Sequence, residues 1–210
     1  MALHSTLRIV IVAPELVDRD PGGDDDEAAE AERSRSLRIG LLENGYNIVA
    51  VLPADLFLPD RLAQIAPDMI IVDAESQARD TLEHVVMATR DARRPIVLFT
   101  NDDDTSQVGA AIAAGVSAYV VAGLAPDRVR PVLEVALARF QHEEHLRREL
   151  ADARTQLSDR KTIDRAKGIL MERHRLSEEA AYARLRKSAM DRGMKLAEVA
   201  QRIVDVADLL

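Results

Sequence analysis

Strand and helix signals alternate five times over roughly the first 140 residues and then give way to helix signals alone. This predicts a doubly wound parallel α/β domain followed by an all-α unit. Three observations carry the prediction. The apolar runs are short, continuous and rich in Val and Ile, as strands covered on both faces must be. The connections between the elements are short. Residues 140–160 hold no Gly or Pro, so the last helix of the α/β part runs onward without a break.

Taken in order, Leu7 to Val12 (LRIVIV) is the first strand, and residues 18–26 (DRDPGGDDD) form a polar, acidic loop. A helix from about Glu27 to Glu43 ends at Asn44-Gly45. Tyr46 to Val51 is the second strand, Asp60 to Ile65 a short helix, and Met69 to Val72 the third strand, closed by Asp73. Helix Asp80–Thr89, strand Pro95–Thr100, helix Ser106–Ala114 and strand Ala118–Val121 follow, and Pro126 opens a helix reaching Phe140 and beyond. This spacing fits a flavodoxin-like layout with strand order 2-1-3-4-5, which places any site at the C-terminal ends of the strands.

The last fifty residues read as three short helices around apolar stripes. Ile163, Ala166 and Leu170 advance by three and four, Ala181, Leu185 and Ala189 by four and four, and Leu196, Val199 and Ile203 begin a third stripe. Ser177 with Glu178 and Glu179 reads as a helix start, because Ser caps free N–H groups and acids complement the dipole. Gly193 reads as the helix end. Met171 and Met190 are read as core. Arg165, Lys167, Arg186, Lys187 and Lys195 give this bundle a basic face, and Tyr182 and Arg186 stand four apart on one helix face. Gly168 stands mid-helix at a cost of about 1 kcal/mol against Ala.

Composition bounds the class. The chain has 210 residues, 47% hydrophobic but only 3% aromatic, with no Cys and no Trp. The core is therefore aliphatic, and disulfides and thiolate metal sites are excluded. The N-terminal apolar run is far below the ~20 residues of a membrane span, so the reading is a soluble, cytoplasmic protein with no membrane contact. Net charge is −8, unevenly spread. Residues 151–210 carry 13 Lys/Arg against 10 Asp/Glu, a net of +3, and the first 150 carry 15 against 26, a net of −11. An acidic front and a basic tail are read domain by domain. No nucleophile–base pair, metal cluster or Gly-rich phosphate loop marks an enzyme, and no catalytic residue is assigned.

Asp164 to Met171 (DRAKGILM), Glu179 to Arg186 (EAAYARLR), Ala189-Met190 and Leu196 to Ala200 (LAEVA) together resemble the ANTAR domain, a three-helix RNA-binding module of transcription antiterminators. The resemblance implies Arg165, Lys167, Tyr182, Arg186, Lys187 and Lys195 as the RNA-facing candidates, and close approach of RNA or of a neighbouring helix would explain Gly168. Pro67 to Asp73 (PDMIIVD), Phe99-Thr100 and Ala114 to Val121 (AGVSAYVV) resemble a response-regulator receiver domain. The second resemblance places the phospho-acceptor at Asp73 and the switch hydroxyl and aromatic at Thr100 and Tyr119. The departures bear on function. Where receivers carry the two Mg²⁺-holding acids, this chain has Ala13 and Pro14, with Glu15 beside them, and the phosphate-pairing Lys position is Ala122. Phosphoryl transfer needs that charge neutralisation. The reading is therefore a pseudo-receiver with no metal or other cofactor; Mg²⁺ enters only under the alternative, a conventional regulator switched by phosphorylation of Asp73. Asp18, Asp20 and Asp24 to Asp26 are read as solvated loop acids.

Leu146, Leu150, Ala153 and Leu157 are spaced four, three and four, an a/d seam flanked by charge. His142 and His145 beside it are read as solvated. The expected organisation is a receiver-like domain at 1–130, helix five and a coiled-coil connector at 131–158, and the ANTAR unit at 159–210. Further likeness at Asp80 to His84, Arg94 to Phe99, Ala118 to Leu124 and Arg128 to Pro131 resembles the NasT-type regulators of nitrate and nitrite assimilation. That resemblance implies leader RNA with tandem hairpins as the target, a NasS-like nitrate-sensor protein as the controlling partner, and a homodimer through the connector helix when active.

Overall fold

The computed structural model describes residues 7–13, 25–73, 78–90, 92–100, 106–121 and 126–208. The chain divides into two compact units, Met1–Glu143 and Glu144–Leu210.

The first unit is built on five parallel strands: β1 (Arg8–Val12), β2 (Asn47–Leu52), β3 (Met69–Asp73), β4 (Ile96–Thr100) and β5 (Ala118–Val121). Their order is β2-β1-β3-β4-β5, the order expected from the spacing. Five helices alternate with them: α1 (Asp25–Glu43), α2 (Leu58–Ile65), α3 (Ala78–Ala88), α4 (Ser106–Ala114) and α5 (Pro126–His174). The two-residue period of a strand sends alternate side chains to opposite faces. Val10, Val12, Ile70, Val72 and Leu98 meet apolar residues of α2, α3 and α4 on one face. Ile9, Ile11, Ile71, Val97 and Phe99 meet Leu37 and Leu41 of α1 and Val129, Leu133 and Ala136 of α5 on the other. Both faces are covered, which is why β3 and β4 are buried throughout their length.

Three helix starts lie earlier than the sequence pattern suggested, α3 at Ala78 rather than Asp80 among them. Helix α2 begins at Leu58 rather than Asp60, because Pro59 falls in the first turn, where its missing N–H is no loss. Helix α1 begins at Asp25, so part of the acidic run read as loop belongs to the helix; acids suit a first turn.

The second unit packs the C-terminal part of α5 with α6 (Glu178–Arg192) and α7 (Leu196–Asp208). Its core is Ala166, Leu170, Ala181, Leu185, Ala189, Val199, Ala200 and Val204, with Ile163, Leu196 and Ile203 partly buried against it. These are the three stripes expected. One expectation is corrected: the first of the three helices is not a short, separate element. It is the end of α5, a single helix of 49 residues. The boundary proposed at 158/159 marks no break in the backbone, because nothing there ends a helix. Arg175 ends it instead, at φ 51°, in the left-handed region that non-Gly residues enter at a cost. Ser177 then caps α6, its Oγ accepting from the Ala180 N–H at 3.3 Å, and Gly193 closes it at φ 61°.

Among the described residues, no helix is long and apolar enough to cross a membrane.

Candidate functional site

At the receiver-type site, parallel pairing sets Asp73 at the end of β3 opposite Phe99, so Thr100 lies one residue beyond it on β4. Asp73 is 2% exposed and Thr100 is equally buried. The Ser34 hydroxyl of α1 donates to Asp73 Oδ2. Helix α1 thus supplies a hydrogen bond to the carboxylate that a phosphoryl group would have to reach. Tyr119, paired with Leu98, is half-buried against the α2–α4 side of the core. Ala13, at the end of β1, is buried and its N–H donates to the Leu52 carbonyl at 3.1 Å. An alanine methyl offers no ligand to a hard cation, and the described residues hold no group of three His, Asp or Glu able to bind a metal. The residues described therefore do not fit Mg²⁺. Pro14, Glu15, Asp18, Asp20, Asp24 and Ala122 lie outside the described residues, as do the side chains of Asp25 and Asp26.

In the helical unit the candidate RNA-facing residues divide. Lys167 is an internal tie: its Nζ is 2.8 Å from Asp164 Oδ1 and 2.7 Å from Glu178 Oε1, joining α5 to the start of α6. The hydrogen bond to Asp164, then that to Glu178, raises the Lys167 pKa, and the same bond holds the Asp164 carboxyl below its usual value. Arg165 is exposed on the other flank of α5, two positions and some 200° away around the helix. On α6, Tyr182 is 44% exposed and Met190 72% exposed. The expectation that Met190 is core is corrected, and Met171 is likewise at the surface. Tyr182, Arg186 and Met190 follow one another at four-residue steps, an exposed stripe beside the buried Ala181, Leu185 and Ala189. Lys187 and Lys195 are exposed, and the Lys195 N–H donates to Glu198 Oε2 at the start of α7.

At Gly168 one of the two explanations falls away. A Cβ built there meets nothing within 4 Å, so no neighbouring helix requires the glycine. Gly168→Ala is expected to raise the thermal stability of the helical unit by about 1 kcal/mol. Hairpin affinity measured alongside shows whether RNA approaches the backbone: a fall with a rising melting temperature places Gly168 under the RNA, and unchanged affinity removes it.

The sequence reading missed a cavity of about 370 Å³ between the end of α5, α6 and α7. Arg173, Arg184, Arg192 and Arg202 stand at it, above Leu185, Val199 and Ile203. The four-residue steps from Arg184 through Ser188 to Arg192 were a visible signal, but only the meeting of three helices turns them into the wall of a cavity.

The ANTAR domain family matches residues 151–204. The transcriptional regulatory protein PdtaR of Mycobacterium tuberculosis is 31% identical over 166 residues, covering 79% of this chain and 80% of that protein. The nitrate regulatory protein of Klebsiella oxytoca is 38% identical over 69 residues, which is 32% of this chain and 17% of that one. Among solved structures, the signal receiver domain of a modulated diguanylate cyclase from Desulfovibrio desulfuricans G20 is 20% identical, covering 65% of this chain and 98% of that one at a TM-score of 0.47. An ANTAR unit at its C-terminus and a likeness that runs across four fifths of PdtaR give one conclusion: the chain belongs to the family of ANTAR-domain transcriptional regulatory proteins.

Proposed function

We propose that this regulator is a transcription antiterminator whose helical unit binds paired hairpins in a leader RNA. The observation that carries the reading is the surface of that unit. Among the described residues, the side chains of Arg173, Arg184, Arg186, Lys187, Arg192 and Arg202 make no ion pair, although the whole chain is net acidic. Cations without acidic partners on a compact helical scaffold are what phosphate contact requires. Two units act together in this reading. Leu146, Leu150, Ala153 and Leu157 of α5 are all exposed, and pairing these seams in a homodimer presents two RNA-binding units to two hairpins, so that their weak contacts sum.

Control comes from a protein partner rather than from chemistry at Asp73. The Ser34 hydrogen bond and the absence of a carboxylate at Ala13 support this reading. The partner is a NasS-like nitrate sensor, supported by the sequence resemblance and by the 69-residue likeness to a nitrate regulatory protein. Incubation of the full-length protein with acetyl phosphate and Mg²⁺ is expected to leave its intact mass unchanged. A phosphoryl adduct that disappears in Asp73→Ala would restore the phosphorylation switch.

A gel shift tests the function itself. Full-length protein is expected to retard an RNA carrying two adjacent hexaloop hairpins and to leave duplex DNA of the same length unbound. Equal retention of the duplex would end the RNA reading.

A further inference from the structure

We infer that the cavity between α5, α6 and α7 seats one unpaired loop nucleotide of the RNA, with its base on the aliphatic floor and its phosphates on the arginine rim. This rests on the RNA-binding reading above and gives it a site that the Tyr182–Arg186 face does not include.

Three facts carry the assignment. First, the rim is cationic and uncompensated. Arg173 comes from α5, Arg184 and Arg192 from α6 and Arg202 from α7, and none of the twelve lining residues is Asp or Glu. Among the described residues none of these four makes an ion pair. Like charges gathered on one concave surface raise the local potential and draw in an anion. Second, the floor is apolar. Leu185 and Val199 are core residues and Ile203 is half-buried beside them, so the ligand has a flat apolar body as well as charge. A bare phosphate leaves that floor unused, and a duplex keeps its bases stacked inside and cannot lower one into a hole. An unpaired nucleotide meets both demands, since splayed loop bases stack on guanidinium planes and hydrogen-bond along their edges. The Ser188 hydroxyl and His174 imidazole at the cavity supply groups for such an edge. Third, the size fits. At about 370 Å³ the cavity lies at the lower end of the roughly 300–1,000 Å³ of ligand pockets, room for one nucleotide rather than for a peptide helix. Arg165 precedes Ile169 and Arg173 at four-residue steps on α5, extending the cationic track along which the next phosphates run.

The two α6 faces are separable. Arg184 and Arg186 are two positions apart, some 200° around the helix, so Arg184→Ala/Arg192→Ala leaves the Tyr182–Arg186 stripe intact. Full-length wild-type protein and this double variant, both checked by circular dichroism melting, are titrated with the two-hairpin RNA bearing 2-aminopurine at successive loop positions. Ser188→Leu, which fills the cavity without removing charge, is the second variant. In wild type, one loop position is expected to change fluorescence on binding. Both variants are expected to lose that signal. The arginine variant is expected to bind at least tenfold more weakly. Its slope of log affinity against log salt is expected to be shallower by about 1.4, at ~0.7 for each of two phosphates no longer neutralised. The same proteins are titrated with adenosine and uridine 5′-monophosphate, followed by the methyl resonances of Leu185, Val199 and Ile203, with a poly-glutamate peptide as competitor.

Wild-type RNA binding with both variants unaffected would overturn the cavity assignment and leave the antiterminator reading standing. No hairpin binding, but monophosphate shifts that vanish in the arginine variant, would keep the nucleotide site and remove the antiterminator reading. Absence of both, or occupation of the cavity by poly-glutamate in preference to nucleotide, would overturn the assignment and mark the cavity as a protein-docking site.

Discussion

Leu185→Ala is expected to unfold the helical unit under conditions in which the α/β unit stays folded. Leu185 is fully buried, and its neighbours in the cluster include Ala166, Ala181, Ala189 and Ala200. Small side chains on a fixed helical backbone cannot close over the space a missing isobutyl group leaves. Removing a buried leucine costs about 2–5 kcal/mol, and whole domains are stable by only about 5–15 kcal/mol. A unit of this size buries a smaller share of its surface than a large domain and stands at the low end of that range. Hydrogen exchange is the direct measurement. Protection of α6 and α7 amides is expected to collapse, and protection of β1, β3 and β4 to persist. Simultaneous loss in both units would show that they fold as one cooperative body; full protection throughout would show that the site repacks.

Tyr182→Ala/Arg186→Ala is expected to weaken hairpin binding by tenfold or more with no change in the melting of the helical unit. Both side chains are exposed beside the buried stripe of α6, so their removal leaves the core whole. Stacking of one base on an aromatic ring is worth about 1–3 kcal/mol by alanine substitution, and an arginine reading a base edge about as much. The two residues are neighbours, so the losses are not expected to add. Fluorescence anisotropy with labelled hairpin RNA reads the effect, and equal affinities would remove this stripe from the interface. Lys167→Ala is a poorer probe than the sequence suggested. It cuts the tie to Glu178 that joins α5 to α6, so weaker binding by that variant reports a loosened scaffold as readily as a missing cation at the RNA.

Much of the α/β unit was legible because its rules are local. A buried parallel strand must be apolar on both faces, so LRIVIV, MIIVD and PIVLFT announce β1, β3 and β4, and short connections leave few ways to order them. The caps of α6 were legible for the same reason: Ser177 and Gly193 act on backbone groups within one turn of themselves. The positions Asp73 and Thr100 followed from where their strands end.

Other features depended on residues far apart in the chain. Periodicity finds stripes but not continuity, so the apolar face at Ile163–Leu170 read as a short helix when it is the end of α5. Met190 read as core; its angular place beside Tyr182 and Arg186 put it in solvent. Lys167 read as a cation for RNA, and only folding brought Glu178, eleven residues on, within 2.7 Å of it. The cavity is the clearest case. The sequence by itself determined the sheet, the helical stripes, their caps and the net basic charge of the last sixty residues, because those are set by neighbours along the chain. Only the tertiary structure decided which cations are spent on internal ties and which surround a cavity with an apolar floor, because that depends on how the faces of α5, α6 and α7 meet.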